Sequence, residues 1–309
     1  MAELLEELRP RAFAIAYRML GSVTDAEDIV QEALLRLHRV LESGEDIEVP
    51  EAYLATVVTR LGIDRLRSAQ VRRETYVGEW LPEPVVTGDL GDPATDPAIH
   101  AEISDSLSLA FIVLLERLSP EQRAVFLLRE VFDYDYETIA GIVGKSEAAC
   151  RQLAVRARRH VDEDRPRFEA SRQEENELAR MFMTATQTGD LDGLEALLAH
   201  DVALHGDGGG KARSPAEPLF GRRRVARTLL GWMRVIMGIE GFSIRPVEVN
   251  GHPGTMGLDG QQRIVNVWSL DIADGQIQAI RSIVNPDKLR HLGPVADRPP
   301  ALRPRPSSR

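Results

Sequence analysis

Cysteine is nearly absent from this chain. With Cys150 alone among 309 residues, no internal disulfide can form, which excludes the stapled secreted folds and fits a reducing compartment. Cys150 falls at an apolar step of an Arg-rich helical stretch and reads as a small core residue. No run of eighteen apolar residues exists, and the opening MAELLEELRPR is acidic and lacks a signal-peptide pattern. A cytoplasmic protein without a membrane partner is the expectation. There is no internal repeat and no His/Cys cluster with ligand spacing. The lysine motif at 207–211, DGGGK, lacks the frame of a nucleotide loop, since Ala212 follows the lysine. Neither metal nor cofactor is expected.

Positive charge is also in short supply. The net charge of −10 is unfavourable for a DNA binder, because phosphate neutralisation supplies most non-specific affinity. The cations are clustered, however. Arg60, Arg65, Arg67, Arg72 and Arg73 lie in one segment against Asp64 alone, and Arg151, Arg156, Arg158 and Arg159 lie in another with no acid between them. An acidic body with two basic stripes binds DNA poorly by itself and well once a partner aligns both stripes on one duplex.

Hydrophobic residues at 43% and charged residues at 28% describe an ordinary globular chain, long enough for two or three domains. Helical periodicity over 4–20, 24–41 and 51–73 predicts a small bundle, with Gly21 ending the first helix and Pro50 in the first turn of the third. From 77 to 99 the chain turns rich in proline, glycine and aspartate and reads as an extended linker. Within it, Trp80 expects a dock rather than solvent. Helices resume over 101–118, 120–131, 136–143 and 146–160. The texture changes again at 174–292, with helices near 176–188, 191–198 and 222–237, and strands over 202–205, 242–249, 263–272 and 276–284. This predicts an α+β domain with helices over an antiparallel sheet. The Pro- and Arg-rich end reads as a disordered tail.

Two stretches carry chemistry. In 24–41, Thr24 and Glu27 have capping-box spacing, and Ala26, Ile29, Val30, Ala33, Leu34, Leu37 and Leu41 form an apolar face. The opposite face sets Leu35 among Asp25, Asp28, Gln31, Glu32, Arg36 and Arg39. An apolar anchor in a polar rim suits partner docking; the plain alternative is a solvated face with one tolerated leucine. In 136–160 a short helix, a Gly144-Lys145 turn and a Ser146 cap precede a second helix, which is helix-turn-helix grammar. Arg151 and Gln152 can reach guanine and adenine edges, while Arg156, Arg158 and Arg159 suit phosphates. An αα-hairpin with a solvated Arg-rich face is the alternative.

In this order, acidic helix, Arg-rich helix, acidic linker and helix-turn-helix, the chain resembles the extracytoplasmic-function sigma factors of bacterial RNA polymerase. WLPEP at 80–84, DGGGK at 207–211 and NPDKL at 285–289 resemble the marks of the subgroup with a fused C-terminal SnoaL-like domain. The resemblance implies two all-α sigma domains followed by an α+β SnoaL-like cone. It places region 2 at 1–76, a linker at 77–100, region 4 at 101–165, the regulatory domain at 174–293 and the tail at 294–309. Its implied partners are the clamp and flap of the polymerase core and promoter DNA. Asp25, Asp28, Gln31, Glu32 and Leu35 become the core-binding face. Arg60, Asp64, Arg65 and Arg67, with the loop 42–49, become the −10 contacts, and Ser146, Arg151, Gln152, Arg156, Arg158 and Arg159 the −35 contacts. Trp80, Leu81, Pro82, Glu83 and Pro84, Asp207, Gly208, Gly209, Gly210 and Lys211, and Asn285, Pro286, Asp287, Lys288 and Leu289 are expected to gather at one regulatory interface.

Rival readings stay open at this level. A SnoaL-like cone can hold a small-molecule ligand or an acid–base site lined by His205, Asp207, Asp201 and Trp268. A tuned carboxylate needs burial, and Asp207, beside three glycines and Lys211, is expected in a wet loop. A dimeric repressor is a third class, but it leaves the acidic helix without a role.

Overall fold

The computed structural model describes residues 2–44, 47–73, 75–89, 107–164 and 171–297. Residues 298–309 of the expected tail, residues 90–100 of the expected linker, residues 101–106 of the helix expected after it and the loop residues 45–46 lie outside the described residues. Two compact units divide the chain: Met1–Thr75 with Phe111–Arg165, and Tyr76–Ala110 with Pro166–Arg309.

The first unit is helical. It begins with α1 (Ala2–Leu20), α2 (Val23–Glu42) and α3 (Pro50–Arg73). Gly21, at φ 64°, closes α1 and lets its N–H reach the Tyr17 carbonyl. The cap of α2 differs from the sequence expectation: Ser22, not Thr24, accepts from the Asp25 N–H at 3.1 Å. Both residues are good caps, and Gly21 ends the preceding helix so close that the earlier one is used. Ala26, Ile29, Val30, Ala33 and Leu37 are buried, as their spacing requires. Gly62 admits the Met19 side chain, whose Cε would lie 2.9 Å from a Cβ there.

After α4 (Leu109–Leu115), the capping box of Ser119 and Gln122 starts α5 (Pro120–Glu130), with proline at its first position. The helix-turn-helix follows: α6 (Tyr136–Val143), capped by Asp135, then Gly144 at φ 68°, then α7 (Glu147–Asp164). Val125, Leu128, Ile139, Ile142, Cys150 and Ala154 form its core. Cys150 is fully buried there, and burial raises its thiol, which leaves it a packing residue without thiolate reactivity.

The second unit is a seven-stranded sheet in the order β1-β4-β5-β6-β7-β2-β3. Its strands are β1 (Val86–Asp89), β2 (Leu198–Asp207), β3 (Leu219–Phe220), β4 (Ser243–Val249), β5 (His252–Leu258), β6 (Ile264–Ala273) and β7 (Gln276–Ile283). Three helices, α8 (Arg172–Thr188), α9 (Leu191–Leu197) and α10 (Arg222–Ile236), share one core with it around Phe182, Leu229, Trp268 and Ile280. Three strands, β1, the two-residue β3 and β5, depart from the sequence expectation. Residues 86–89, read as linker, pair antiparallel with β4. Residues 252–258, HPGTMGL, form a buried strand despite two glycines and a proline; the Asn250-Gly251 turn before it is the hairpin signal that marks it. The sheet is not wholly antiparallel either, since β2 runs parallel to β7. Between them the chain passes through β3, α10 and three further strands, so no hairpin constrains their direction.

Candidate functional site

On α2, Leu35 is 45% exposed, with Gln31 also exposed and Glu32 paired to Arg36 at 2.8 Å. Asp25 and Asp28 both approach the Arg65 guanidinium of α3, at 3.5 and 3.4 Å. Two groups of residues with separate expected roles thus meet in one ion cluster.

Arg60 and Arg67 of α3 reach α6 and α5 of the same unit. Arg60 donates from Nε to the Ile142 carbonyl and from Nη2 to the Gly141 carbonyl, both at 2.8 Å. These carbonyls close α6, where the helix dipole favours a cation. Arg67 binds Glu121 at 2.5 Å and Asp64 at 3.3 Å. The hydrogen bond from Arg67 holds the Glu121 carboxyl below its usual range and, reciprocally, raises the guanidinium. Between these pairs sits Arg123, which no periodicity singles out. It is 2% exposed and donates to the carbonyls of Leu115 (2.9 Å) and Met19 (2.6 Å) and to Glu116 (2.7 Å). Burial lowers it to about 9, so it remains a cation at neutral pH.

On α7, Ser146 accepts from the Ala149 N–H. Arg151 lies over the Tyr136 ring at 4.6 Å and pairs with Glu147 at 2.8 Å. Gln152, Arg156 and Arg159 are exposed, and Arg158 reaches Glu130 at 2.5 Å.

The three short motifs come together in the second unit. Asp207 ends β2 and is fully buried. Its Oδ1 accepts from the Tyr76 hydroxyl at 2.5 Å; its Oδ2 accepts from the Leu81 N–H at 2.8 Å and from Lys288 Nζ at 2.6 Å. Lys288, itself 6% exposed, also donates to the Leu81 carbonyl and lies 4.2 Å from the Trp80 ring centroid. This overturns the expectation of a wet loop. Backbone bonds from Val284 and Asn285 to the Asp207 carbonyl pin the strand end beneath the NPDKL turn, and burial follows. This carboxylate is paired with a lysine, accepts from three donors and has no exposed surface, unlike an open general base. Burial first, then the Asp207 charge, keeps the Tyr76 phenol protonated.

The surrounding residues close the cluster. Asn285 Nδ2 donates to the Tyr76 oxygen at 2.9 Å, and its Oδ1 accepts from the Asp287 N–H. Gly209 adopts φ 54° directly against this amide, where a Cβ would come within 2.2 Å of Nδ2; that approach requires glycine. Gly208 accepts from the Lys211 and Ala212 N–H groups, Gly210 borders Val77, and Lys211 pairs with Asp287. Leu81, Pro82, Glu83, Pro84 and Leu289 are buried, whereas Pro286 is partly open. His291 meets the Pro84 carbonyl at 2.8 Å, and Glu79 binds both the Gly206 N–H and His205. Tyr76 and Glu79 have no role in the sequence reading. Their only signal is adjacency to WLPEP. Of the acid–base candidates, His205 is engaged by Glu79 and Asp201 is exposed, so they do not converge with Asp207 on an open site. Among the described residues no group of three or more His, Cys, Asp or Glu could hold a metal ion, and no helix is long and apolar enough to cross a membrane.

Comparison with known proteins agrees with this architecture. Residues 4–72 match Sigma-70 region 2, and residues 108–161 match Sigma-70 region 4. The chain is 41% identical over 291 residues to the ECF RNA polymerase sigma factor SigJ of Mycobacterium tuberculosis, covering 92% of this chain and 91% of that one. It is 34% identical over 281 residues to the probable ECF RNA polymerase sigma factor SigI of the same organism, covering 90% and 91%. The crystal structure of M. tuberculosis SigJ superposes with a TM-score of 0.73 at 36% identity, covering 96% of this chain and all of that one. These full-length relatives are sigma factors rather than enzymes. The chain belongs to the extracytoplasmic-function sigma factors of RNA polymerase.

Proposed function

We propose that this sigma factor, which directs RNA polymerase to promoters for transcription initiation, rests in a form whose DNA-facing cations are occupied by its own acids and carbonyls. It acts in the cytoplasm, where core polymerase and promoter DNA are its partners. The face around Leu35 docks on the core, α3 addresses the −10 element and α7 the −35 element. The observation that carries this reading is the pair of hydrogen bonds from Arg60 to the carbonyls of Gly141 and Ile142. Arg67 on Glu121 and Arg65 on Asp25 and Asp28 extend the same pattern. With net charge −10 and these cations engaged, the isolated chain has little to offer a duplex. Core docking competes for Asp25 and Asp28 and so releases Arg65.

The test is promoter binding with and without core polymerase. The isolated chain should bind only weakly, and added core should restore specific binding; tight binding without core would overturn the proposal. Leu35→Asp should weaken core binding by roughly 2 kcal/mol or more, the worth of a buried anchor replaced by a charge. Unchanged co-purification with core would remove Leu35 from the docking face. Arg151→Ala should cost about 1–3 kcal/mol in promoter binding by the assembled holoenzyme, the value of a good base contact. If footprinting shows the same affinity and preference, Arg151 does not read the −35 element.

The C-terminal domain supplies regulation. Its Asp207 and Lys288 grip both backbone groups of Leu81, in the segment that leads from region 2 toward region 4. Through that grip the domain sets how the segment is held.

A further inference from the structure

The second unit contains a cavity of about 310 Å³ between α10 and the sheet, separate from the Asp207 cluster. Its volume is at the lower end for small-molecule sites. Trp232, Ile236 and Trp268 supply apolar and aromatic wall, and the Trp268 indole is fixed by donating to Ser282 Oγ at 2.9 Å. One polar group is out of place for a packed core. Asn266 is 4% exposed and lines the cavity, and its amide oxygen has no hydrogen-bond partner. The sheet makes room for this amide: at the facing residue, Gly257, a Cβ would come within 2.2 Å of that oxygen. A buried acceptor left unsatisfied is costly, and a ligand donor is one way to satisfy it. The lining also includes Arg213 and Arg227, both exposed, while no carboxylate among the described residues lines the cavity.

We propose that this cavity binds a small aromatic carboxylate. Its ring system lies against Trp232 and Trp268, a hydroxyl or N–H donates to Asn266 Oδ1, and the carboxylate meets Arg213 and Arg227. Among the described residues the two arginines are the only titratable groups in the lining, which suits binding rather than acid–base turnover. Ala212, Arg213 and Trp232 also border a second hollow lined by Val77 and Gly208–Gly210, so an occupant would adjoin the glycine loop of the Asp207 cluster.

Isothermal titration of the full chain with 6-hydroxy-2-naphthoate tests the proposal without polymerase or DNA, and therefore independently of the sigma-factor reading. Saturable one-to-one binding is expected. Binding of 2-naphthol, which lacks the carboxylate, should be at least ~tenfold weaker, as should binding of the acid to an Arg213→Ala/Arg227→Ala double variant. Gly231→Leu should abolish binding. Gly231 lines the cavity with open space around its Cβ, and leucine is the better helix former, so the melting temperature should hold or rise. Absence of saturable binding, or binding undiminished in Gly231→Leu, overturns the site. Equal binding of acid and naphthol overturns the carboxylate assignment.

Discussion

Lys288→Ala should destabilise the C-terminal unit by about 3–5 kcal/mol, because it strands a buried carboxylate without its cation. Asp207 has no exposure to water, and its other donors, the Tyr76 hydroxyl and the Leu81 N–H, are neutral. For a unit of this size the loss corresponds to roughly 10 °C in melting temperature. The informative control is Asp207→Asn combined with Lys288→Met, which removes both charges while keeping volume and an acceptor for Leu81. Replacing a buried pair together is often close to neutral, so the double variant should recover most of the loss. A single variant that melts like the parent, or a double variant as unstable as the sum of its parts, would show that the pair is not the electrostatic unit described. The recovered double variant also separates stability from regulation. It should fold while gripping Leu81 less firmly, so its promoter output with core polymerase should differ from the parent's.

The second large effect is expected at Arg123. Arg123→Met removes a buried guanidinium that satisfies the Leu115 and Met19 carbonyls and pairs with Glu116. Methionine is shorter than arginine and offers no donor, so the Met19 and Leu115 carbonyls and the Glu116 carboxylate each lose a charged partner. About 3–5 kcal/mol should be lost from the helical unit, measured by urea unfolding. Adding Glu116→Gln removes the carboxylate charge that lost its cation and should return part of that loss, but the two carbonyls still lack the guanidinium donors. An unchanged urea midpoint for Arg123→Met would mean that the interior of this unit tolerates loss of the guanidinium. The Met19 contact also ties the end of α1 to α5, so the variant should loosen region 2 from region 4. The isolated chain should then bind promoter DNA more readily than the parent.

The helices were legible because their signals are local. Apolar residues at three- and four-residue steps, Pro50 and Pro120 at first turns, and Gly21 and Gly144 at helix ends mark α1 to α3 and α5 to α8 within a few residues. The helix-turn-helix and the late strands β4, β6 and β7 were legible for the same reason. The parallel partnership of β2 with β7 was not, because it joins segments with most of a domain between them. Nor was β1, whose proline- and glycine-rich surroundings have linker composition, and whose pairing exists only because β4 offers an edge.

By itself the sequence determined the family, the order of its parts and the three motif words, each of which is a matter of residue type at short spacing. Tertiary structure decided what those words do to one another. Asp207 beside three glycines has the composition of a wet loop, and it is dry because Tyr76, Leu81 and Lys288, distant in the chain, converge on it. Arg60 belongs to a basic stripe in the sequence and Arg123 is unmarked there, and only the fold brings carbonyls from other helices to meet them. Burial and charge pairing are properties of three-dimensional neighbours, so local pattern can name the residues but cannot assign their environment.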